Sequence, residues 1–182
     1  AESTALNRIV TDLLREAGLP VISFVPMDNI HAADGEITGW DISALKTCLE
    51  HNLIPLIFGD TIFDDVRGGT ILSTEDLFLH LCRTQKEPPR ILLAGLEDGV
   101  WEDYPANTRL IKEIHADSSD EDGFIKGSAF TDVTGGMREK VRLMKKLVRE
   151  GKAESAVIFS GLHANNLRDA LNKKTVGTAI IH

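Results

Sequence analysis

The chain has 182 residues, and its 20 Lys and Arg residues are outnumbered by 28 Asp and Glu residues, which gives a formal net charge of −8 at pH 7. This acidic balance argues against general nucleic-acid binding, because that function requires a concentrated basic face. No stretch approaches the roughly 18 consecutive apolar residues of a membrane-spanning helix, so the sequence excludes a membrane-embedded protein. Phosphorylated small molecules are compatible with the charge, since a few cations and backbone N–H groups suffice to hold a phosphate.

The two cysteines and six histidines show no metal-ligand spacing. Cys48 and Cys82 lie in helix-like apolar patterns without a Cys-x-x-Cys motif, which is typical of reduced core thiols in a cytosolic protein. The histidines are scattered along the chain, so we predict no metal site. These patterns indicate a cytoplasmic protein.

Apolar periodicity predicts an alternation of helices and strands. An amphipathic helix is predicted over residues 4–17, and Gly18 and Pro20 end it before the apolar run 21–25. Further helices are predicted over 41–50, 73–83, 136–150 and 163–171, and further strands over 54–58, 91–94, 156–159 and 178–181. Short, continuously apolar strands between helices predict an α/β fold with a doubly covered, mainly parallel sheet.

The periodicity fails between Asp98 and Asp132, where acidic residues crowd around two serines. We predict an exposed, mobile loop there, and a solvated charge run without function is its simplest interpretation. No internal repeat and no linker rich in Pro, Gly or Ser divides the chain. We therefore expect one domain over residues 1–182.

The segment Asp132-Val133-Thr134-Gly135-Gly136 runs directly into an amphipathic helix. The N-terminus of such a helix carries free N–H groups and a positive partial charge, which together accept a phosphate. Lys140 lies one turn further on, where its ammonium group can neutralise charge that develops during phosphoryl transfer. The alternative is an ordinary Gly-Gly loop and a surface lysine, because the segment is not a Walker sequence.

Three other segments follow predicted strands or open predicted helices. Gly59-Asp60 follows strand 54–58, at the end where α/β proteins bind ligands. Ser73 and Asp76 have the spacing of a capping box, which makes both residues helix caps in the simplest interpretation. A carboxylate at Asp76 that positions catalytic lysines is compatible with the cap. Asp98-Gly99 follows strand 91–94 and by itself indicates a common turn.

Taken in order, these segments resemble the amino acid kinase family, and within it the branch of isopentenyl phosphate and uridylate kinases. The resemblance rests on Gly59-Asp60, Ile71 to Asp76, Asp98-Gly99-Val100, Asp132 to Met137 with Lys140, and Gly177 to Ile180. It implies an α/β/α sandwich and a homodimer. It also implies transfer of the γ-phosphoryl group of ATP, with Mg²⁺, to a small phosphomonoester. The wording of the Asp132 to Met137 segment resembles that of isopentenyl phosphate kinases and so implies isopentenyl phosphate as this acceptor. Uridylate kinase activity and a non-catalytic nucleotide-binding role are the alternatives.

The resemblance implies a role for each segment. Lys140 and Asp76 are the implied catalytic residues, since Lys140 contacts the transferring phosphates and Asp76 organises the lysines of the site. The implied nucleotide-binding residues are Asp98, Asp132, Thr134, Gly135 and Gly136, and the implied substrate-binding residues are Gly59, Asp60, Ser73 and Thr74. We expect Lys140 and Asp76 to face a common cavity at one edge of the sheet.

The sequence departs from the family pattern at three positions and at its beginning. Phe58, Thr74 and Leu96 stand where the family usually has His, Gly and Asp. The family also has an amino-terminal strand with a lysine, a glycine-rich phosphate loop and a Gly-Gly-Gly segment with a histidine, which have no counterpart after Ala1. Either this part precedes Ala1 in the whole protein or the chain is a remnant of such a kinase. We expect the first, because the remaining motifs are intact, and we expect residues 1–182 to be inactive by themselves.

Overall fold

The computed structural model describes residues 2–118 and 135–182. Within these ranges the α-helices are α1 (Glu2–Glu16), α2 (Ser43–Glu50), α3 (Thr74–Thr84), α4 (Gly135–Arg149) and α5 (Asn166–Leu171). The strands are β1 (Val21–Ser23), β2 (Ile30–Ala33), β3 (Glu36–Trp40), β4 (Ile54–Leu56), β5 (Asp60–Asp64), β6 (Gly68–Leu72), β7 (Arg90–Gly95), β8 (Val100–Trp101), β9 (Leu110–Ile111), β10 (Glu113–His115), β11 (Ser155–Ser160) and β12 (Thr178–Ile181). No described helix is both long enough and apolar enough to cross a bilayer.

The chain divides into two compact units, Ala1–Leu81 and Cys82–His182. In the first unit, β1 pairs in parallel with β4, and a mixed sheet has the strand order β3-β2-β5-β6. Its buried core contains Ile30 and Ala32 of β2, Ile62 of β5, Leu72 of β6 and Leu77 of α3. The core therefore joins α3 to the β2–β3 and β5–β6 hairpins.

The second unit contains a four-stranded sheet with the order β10-β12-β11-β7. β7 and β11 are parallel, β12 runs antiparallel to β11, and β10 is parallel to β12. The carboxyl ends of β7 and β11 and the start of β12 therefore lie along the same edge of the sheet, where edge means the side that runs across the strand ends. The carboxyl end of β10 lies at the opposite edge.

Helix α4 packs on this sheet through Met144, Leu147 and Val148, which are at most 1% exposed. Its last turns bind the chain just beyond β10: the Lys145 Nζ donates to the Ser118 carbonyl over 2.9 Å, and the Arg149 Nε donates to the Ala116 carbonyl over 3.0 Å. The C-terminal half of α4 is thus held at the edge where the carboxyl end of β10 lies. Since a 15-residue helix is about 22 Å long, the N-terminus of α4 points towards the edge where β7 and β11 end.

The predicted α/β class is confirmed, and every predicted helix and strand is present with ends that differ by no more than three residues. The sheets are mixed, because the β2–β3 and β5–β6 hairpins and the β11–β12 pair are antiparallel, which the helix–strand alternation did not predict. The Asp34-Gly35 pair between β2 and β3 has φ angles of 53° and 86°, which are those of a two-residue hairpin turn. The single domain over 1–182 stays a prediction.

The predicted mobile loop between Asp98 and Asp132 is wrong for its first part. The antiparallel pair β8–β9 and the strand β10 lie within it, and β10 joins the main sheet of the second unit. Val100, Ile111 and Ile114 are buried there. These strands are only two or three residues long, which is too short for an apolar periodicity to show in the sequence. Residues 119–134 lie outside the described part of the chain.

Candidate active site

The turn Gly59-Asp60 lies against the start of α3. The backbone N–H of Gly59 donates to Thr74 Oγ1 over 3.2 Å. A Cβ atom at Gly59 would lie 2.8 Å from both the Leu72 carbonyl oxygen and the Thr74 nitrogen, so only glycine permits this approach. Thr74, one of the departures from the family pattern, therefore holds the turn through its hydroxyl group.

The capping box predicted for α3 is confirmed. The Asp76 Oδ2 accepts hydrogen bonds from the Ser73 backbone N–H over 2.9 Å and from the Ser73 hydroxyl over 2.7 Å. In return, the Asp76 backbone N–H donates to Ser73 Oγ over 3.1 Å. Both side chains are exposed, so this cap leaves the Asp76 carboxylate at the surface of the first unit.

The Asp60 carboxylate joins the same turn to the start of α1. Its Oδ1 accepts hydrogen bonds from the Thr61 backbone N–H over 2.8 Å and from the Ser3 hydroxyl over 3.2 Å. One turn along α1, the Asn7 side-chain amide donates to Ser23 Oγ at the end of β1 over 2.6 Å. The N-termini of two helices, α1 and α3, thus meet the Gly59-Asp60 turn, and their partial positive charges favour an anionic group there.

In the second unit, the carboxyl ends of β7 and β11 are tied to each other. Gly95 and Ser160 are paired in register at the ends of the two strands, and the Gly161 N–H donates to the Gly95 carbonyl over 2.8 Å. The Ser160 hydroxyl donates to the Leu96 carbonyl over 3.3 Å and accepts from the Leu162 N–H over 3.2 Å. The two following loops therefore start from fixed positions side by side.

The Asp98 turn is packed tightly against the start of β12. Gly177 has a φ of 57°, and a Cβ atom there would lie 2.0 Å from the Ile158 carbonyl oxygen and 2.9 Å from that of Asp98. The Val100 N–H donates to Thr178 Oγ1 over 2.8 Å. Because these contacts fix the backbone before and after Gly99, the Asp98 side chain extends from a rigid turn.

Asp98 forms a hydrogen-bonded pair with His163, which lies in the loop after β11. Nε2 of His163 is 2.8 Å from Asp98 Oδ1, and the side chains are 62% and 45% exposed. The pair bridges the two loops at an edge where parallel sheets bind ligands. Sequence reasoning did not select His163, which lies four positions after the predicted strand 156–159 and opens the predicted helix 163–171.

The other predicted nucleotide-binding residues belong to the start of α4. Gly135 and Gly136 open the helix, and Lys140 lies half-buried one turn later. A Cβ atom at Gly136 would have no described atom within 4 Å, so the packing of the described residues does not require glycine there. Asp132 and Thr134 lie outside the described residues.

The structure thus groups the predicted site residues in two sets. Gly59, Asp60, Ser73, Thr74 and Asp76 surround one turn of the first unit. Asp98 lies at the edge of the second unit towards which the start of α4 points. The predicted approach of Lys140 and Asp76 stays a prediction. In the described ranges, no group of three or more His, Cys, Asp or Glu side chains is placed to hold a metal ion.

Comparison with known proteins identifies the family. The model of the amino acid kinase family matches residues 2–160. The chain belongs to the amino acid kinase family. This family membership confirms the resemblance inferred from the segments around Asp76, Asp98 and Lys140.

Members of the family that the chain resembles include two archaeal enzymes. It is 33% identical over 180 residues to the isopentenyl phosphate kinase of Methanothermobacter thermautotrophicus, covering 96% of this chain and 66% of that protein. It is 34% identical over 175 residues to the isopentenyl phosphate kinase of Methanocaldococcus jannaschii, covering 96% of this chain and 63% of that protein. The chain therefore spans a little under two thirds of the length of these relatives.

Solved structures agree with this assignment. An X-ray structure of an isopentenyl phosphate kinase superimposes with a TM-score of 0.76 at 27% identity, over 97% of this chain and 66% of the other. UMP kinase from Ureaplasma parvum superimposes with a TM-score of 0.58 at 12% identity, over 99% of this chain and 67% of the other. The second likeness shows the common fold alone.

Proposed function

We propose that the protein is a cytoplasmic kinase that transfers the γ-phosphoryl group of ATP to the phosphate of a small phosphomonoester, isopentenyl phosphate. The observation that carries the proposal is the direction of α4, whose N-terminus, with Gly135 and Gly136, points to the carboxyl edge of β7 and β11. Phosphate groups bind to helix N-termini of this kind, where N–H groups and the helix dipole favour negative charge. The buried, unpaired thiols of Cys48 and Cys82 fit a reducing compartment.

In this proposal the α4 N-terminus and Lys140 act on the phosphates of ATP. Phosphoryl transfer spreads negative charge over the oxygens of the transferring group, so catalysis depends on positioning and charge neutralisation. The backbone N–H groups at Gly135 and Gly136 donate to phosphate oxygens, and the Lys140 ammonium neutralises the charge that builds up on them. The reaction requires no covalent intermediate.

The metal ion is proposed to enter with the nucleotide. Mg²⁺ is usually bound through one or two carboxylates and the phosphates of its substrate rather than by a complete protein cage. The described ranges contain no cluster of three metal-binding side chains that would form such a cage. When bound, Mg²⁺ would neutralise part of the negative charge of the phosphates.

The acceptor is proposed to bind near the Gly59-Asp60 turn. The N-termini of α1 and α3 meet there. The exposed Thr74 hydroxyl accepts from the Gly59 N–H and keeps its own proton for a phosphate, whereas the Ser73 hydroxyl would exchange its hydrogen bond to Asp76 for one to the phosphate. The choice of isopentenyl phosphate is supported by the names of the relatives at 33% and 34% identity.

The deciding experiment measures ATP-dependent phosphoryl transfer by the full-length protein to isopentenyl phosphate and, in parallel, to UMP. We expect a higher kcat/KM for isopentenyl phosphate. A higher kcat/KM for UMP would assign the protein to the uridylate kinases instead. Binding of ATP without transfer to either acceptor would indicate a non-catalytic nucleotide-binding protein.

A further inference from the structure

In the Asp98–His163 pair of the second unit, the family resemblance implies a nucleotide-binding role for Asp98 and none for His163. The two residues are 65 positions apart in the sequence, and their side chains are joined by a 2.8 Å hydrogen bond between the loops after β7 and β11. Both side chains are substantially exposed, so the pair contributes little to stability. Since the stability of the fold depends little on this pair, its side chains are available to bind a ligand.

The surroundings of the pair restrict what it can bind. Asp98 leaves a turn whose backbone is fixed by Gly177 and Thr178, so rotation of its side chain is the main freedom left to the carboxylate. The hydrogen bond to His163 removes that freedom and occupies Oδ1. Oδ2 has no hydrogen bond to any described residue, and a carboxylate oxygen can only accept hydrogen bonds. The ligand group that meets it must therefore be a donor.

The proposed nucleotide offers such donors next to its phosphates. A carboxylate repels phosphate groups, but the hydroxyl groups of the attached ribose are good donors, and acidic residues bind ribose in this way in other α/β proteins. The start of α4 points to the same edge of the sheet as Asp98. With the phosphates at α4, the ribose is the part of ATP that can approach a carboxylate at this edge.

We infer that Asp98 binds the ribose hydroxyl groups of ATP and that His163 is the positioning residue that holds the Asp98 carboxylate for this contact. The inference rests on the proposed function, because it takes ATP as the ligand. It assigns a role to a histidine that lies outside every motif of the sequence analysis. His163 itself does not touch the transferring phosphate, so its loss weakens nucleotide binding more than it slows chemistry.

The test compares His163→Ala and His163→Gln in the full-length protein. Each variant is assayed for KM and kcat with ATP and with 2′-deoxyATP, and for binding of a non-hydrolysable ATP analogue by calorimetry. We expect His163→Ala to raise the KM for ATP about fivefold with kcat changed less than twofold, in keeping with one exposed charged contact. The preference for ATP over 2′-deoxyATP should fall with it. His163→Gln should restore most of the affinity, because its amide N–H can donate to Asp98.

The matched control is His115→Ala. His115 is also exposed, and its Nδ1 lies 3.0 Å from the His182 carbonyl oxygen, but it lies at the opposite edge of the same sheet. This variant should bind ATP and 2′-deoxyATP as the unchanged protein does. A loss of affinity equal to that of His163→Ala would overturn the inference, since it would show a general effect of removing a surface imidazole.

Two further outcomes separate this inference from the proposed function. If the unchanged protein binds the ATP analogue and His163→Ala binds it equally well, His163 has no positioning role and the proposed function stands. The inference is also wrong if His163→Gln is as impaired as His163→Ala. If the unchanged protein binds no nucleotide at all, the proposed function fails and the inference fails with it.

Discussion

At the scale of single residues, Asp64 is the most tightly bound carboxylate of the first unit. It is 4% exposed, and its two oxygens accept hydrogen bonds of 2.7–3.0 Å from the backbone N–H groups of Asp34, Gly35, Val66 and Arg67. Burial raises the pKa of Asp64, but these four hydrogen bonds outweigh it and lower the pKa to about 2. One carboxylate thus joins the turns of two hairpins.

We expect Asp64→Asn to lower the thermal midpoint by about 5 °C or more, because the amide nitrogen would face backbone N–H groups. The difference from the unchanged protein should depend on pH. Since the pKa of Asp64 is about 2 in the folded state and about 3.9 in the unfolded chain, its stabilisation is complete above about pH 4. It is lost as the pH falls towards 2. Thermal unfolding between pH 2.5 and 7 measures this.

The control for Asp64 is its neighbour. Asp65 is exposed, so Asp65→Asn should leave the midpoint nearly unchanged at every pH. If the gap between Asp64→Asn and the unchanged protein stayed constant down to pH 2.5, the ionised carboxylate would not be the source of the stabilisation.

Lys140 is the residue on which the proposed chemistry depends most. We expect Lys140→Ala to lower kcat by at least ~100-fold, in the range observed when one preorganised stabiliser of transition-state charge is removed. Lys146→Ala is the matched control on the same helix, because Lys146 is 53% exposed in an ion pair with Glu150. It should keep kcat within about twofold, as a surface pair contributes little. Steady-state kinetics measures both variants. If Lys140→Ala lowered kcat less than about threefold, Lys140 would be a surface lysine without a catalytic role.

At the scale of the elements, the cap of α3 and its proposed catalytic role can be separated. Asp76→Asn keeps an oxygen that can accept the hydrogen bonds from Ser73 but removes the charge, so the fold should lose little stability. Asp76→Ala removes the cap as well and should cost about 1 kcal/mol. If Asp76 organises the lysines of the site, kcat falls at least ~10-fold in both variants. Urea unfolding measures the loss of the cap, and steady-state kinetics measures the loss of catalysis. Full activity of Asp76→Asn would show that Asp76 is a helix cap without a catalytic role.

The start of α4 allows stability and binding to be changed in opposite directions. Gly136→Ala should raise stability by up to about 1 kcal/mol, because alanine favours a helix over glycine and its Cβ would have no described atom within 4 Å. The same methyl group would obstruct a phosphate, so we expect the KM for ATP to rise severalfold. Denaturant unfolding and ATP titration measure the two effects.

The contrasting substitution is Gly59→Ala in the first unit. Its Cβ would lie 2.8 Å from two backbone atoms, so stability and activity should both fall. An ATP affinity of Gly136→Ala equal to that of the unchanged protein would argue against phosphate binding at the start of α4.

At the scale of the whole molecule, the proposed ligands should stabilise the folded state. A ligand present at 100 times its Kd adds about 2.7 kcal/mol, and each kcal/mol raises the midpoint of a chain of this size by roughly 2–4 °C. We therefore expect a non-hydrolysable ATP analogue with Mg²⁺ to raise the midpoint by roughly 5–10 °C. Scanning calorimetry measures this, and an unchanged midpoint would contradict nucleotide binding. The homodimer stays a prediction that sedimentation equilibrium would decide.

The sequence by itself determined the five helices, five of the twelve described strands, the α/β class, the capping box of α3 and the family. These features depend on residues close together in the chain, because apolar periodicity and capping act over a few positions. The Asp34-Gly35 turn is also local, and it would have predicted the β2–β3 hairpin.

Only the tertiary structure decided which side chains meet. Asp98 and His163 are brought together because β7 and β11 are parallel neighbours, and the four N–H groups around Asp64 come from two separate turns. Such meetings depend on strand order and register, which bring together residues 65 positions apart or 30 positions apart. Periodicity within a strand does not encode its neighbour, since many pairings bury the same apolar residues. The sheet, rather than any local pattern, therefore places His163 beside Asp98.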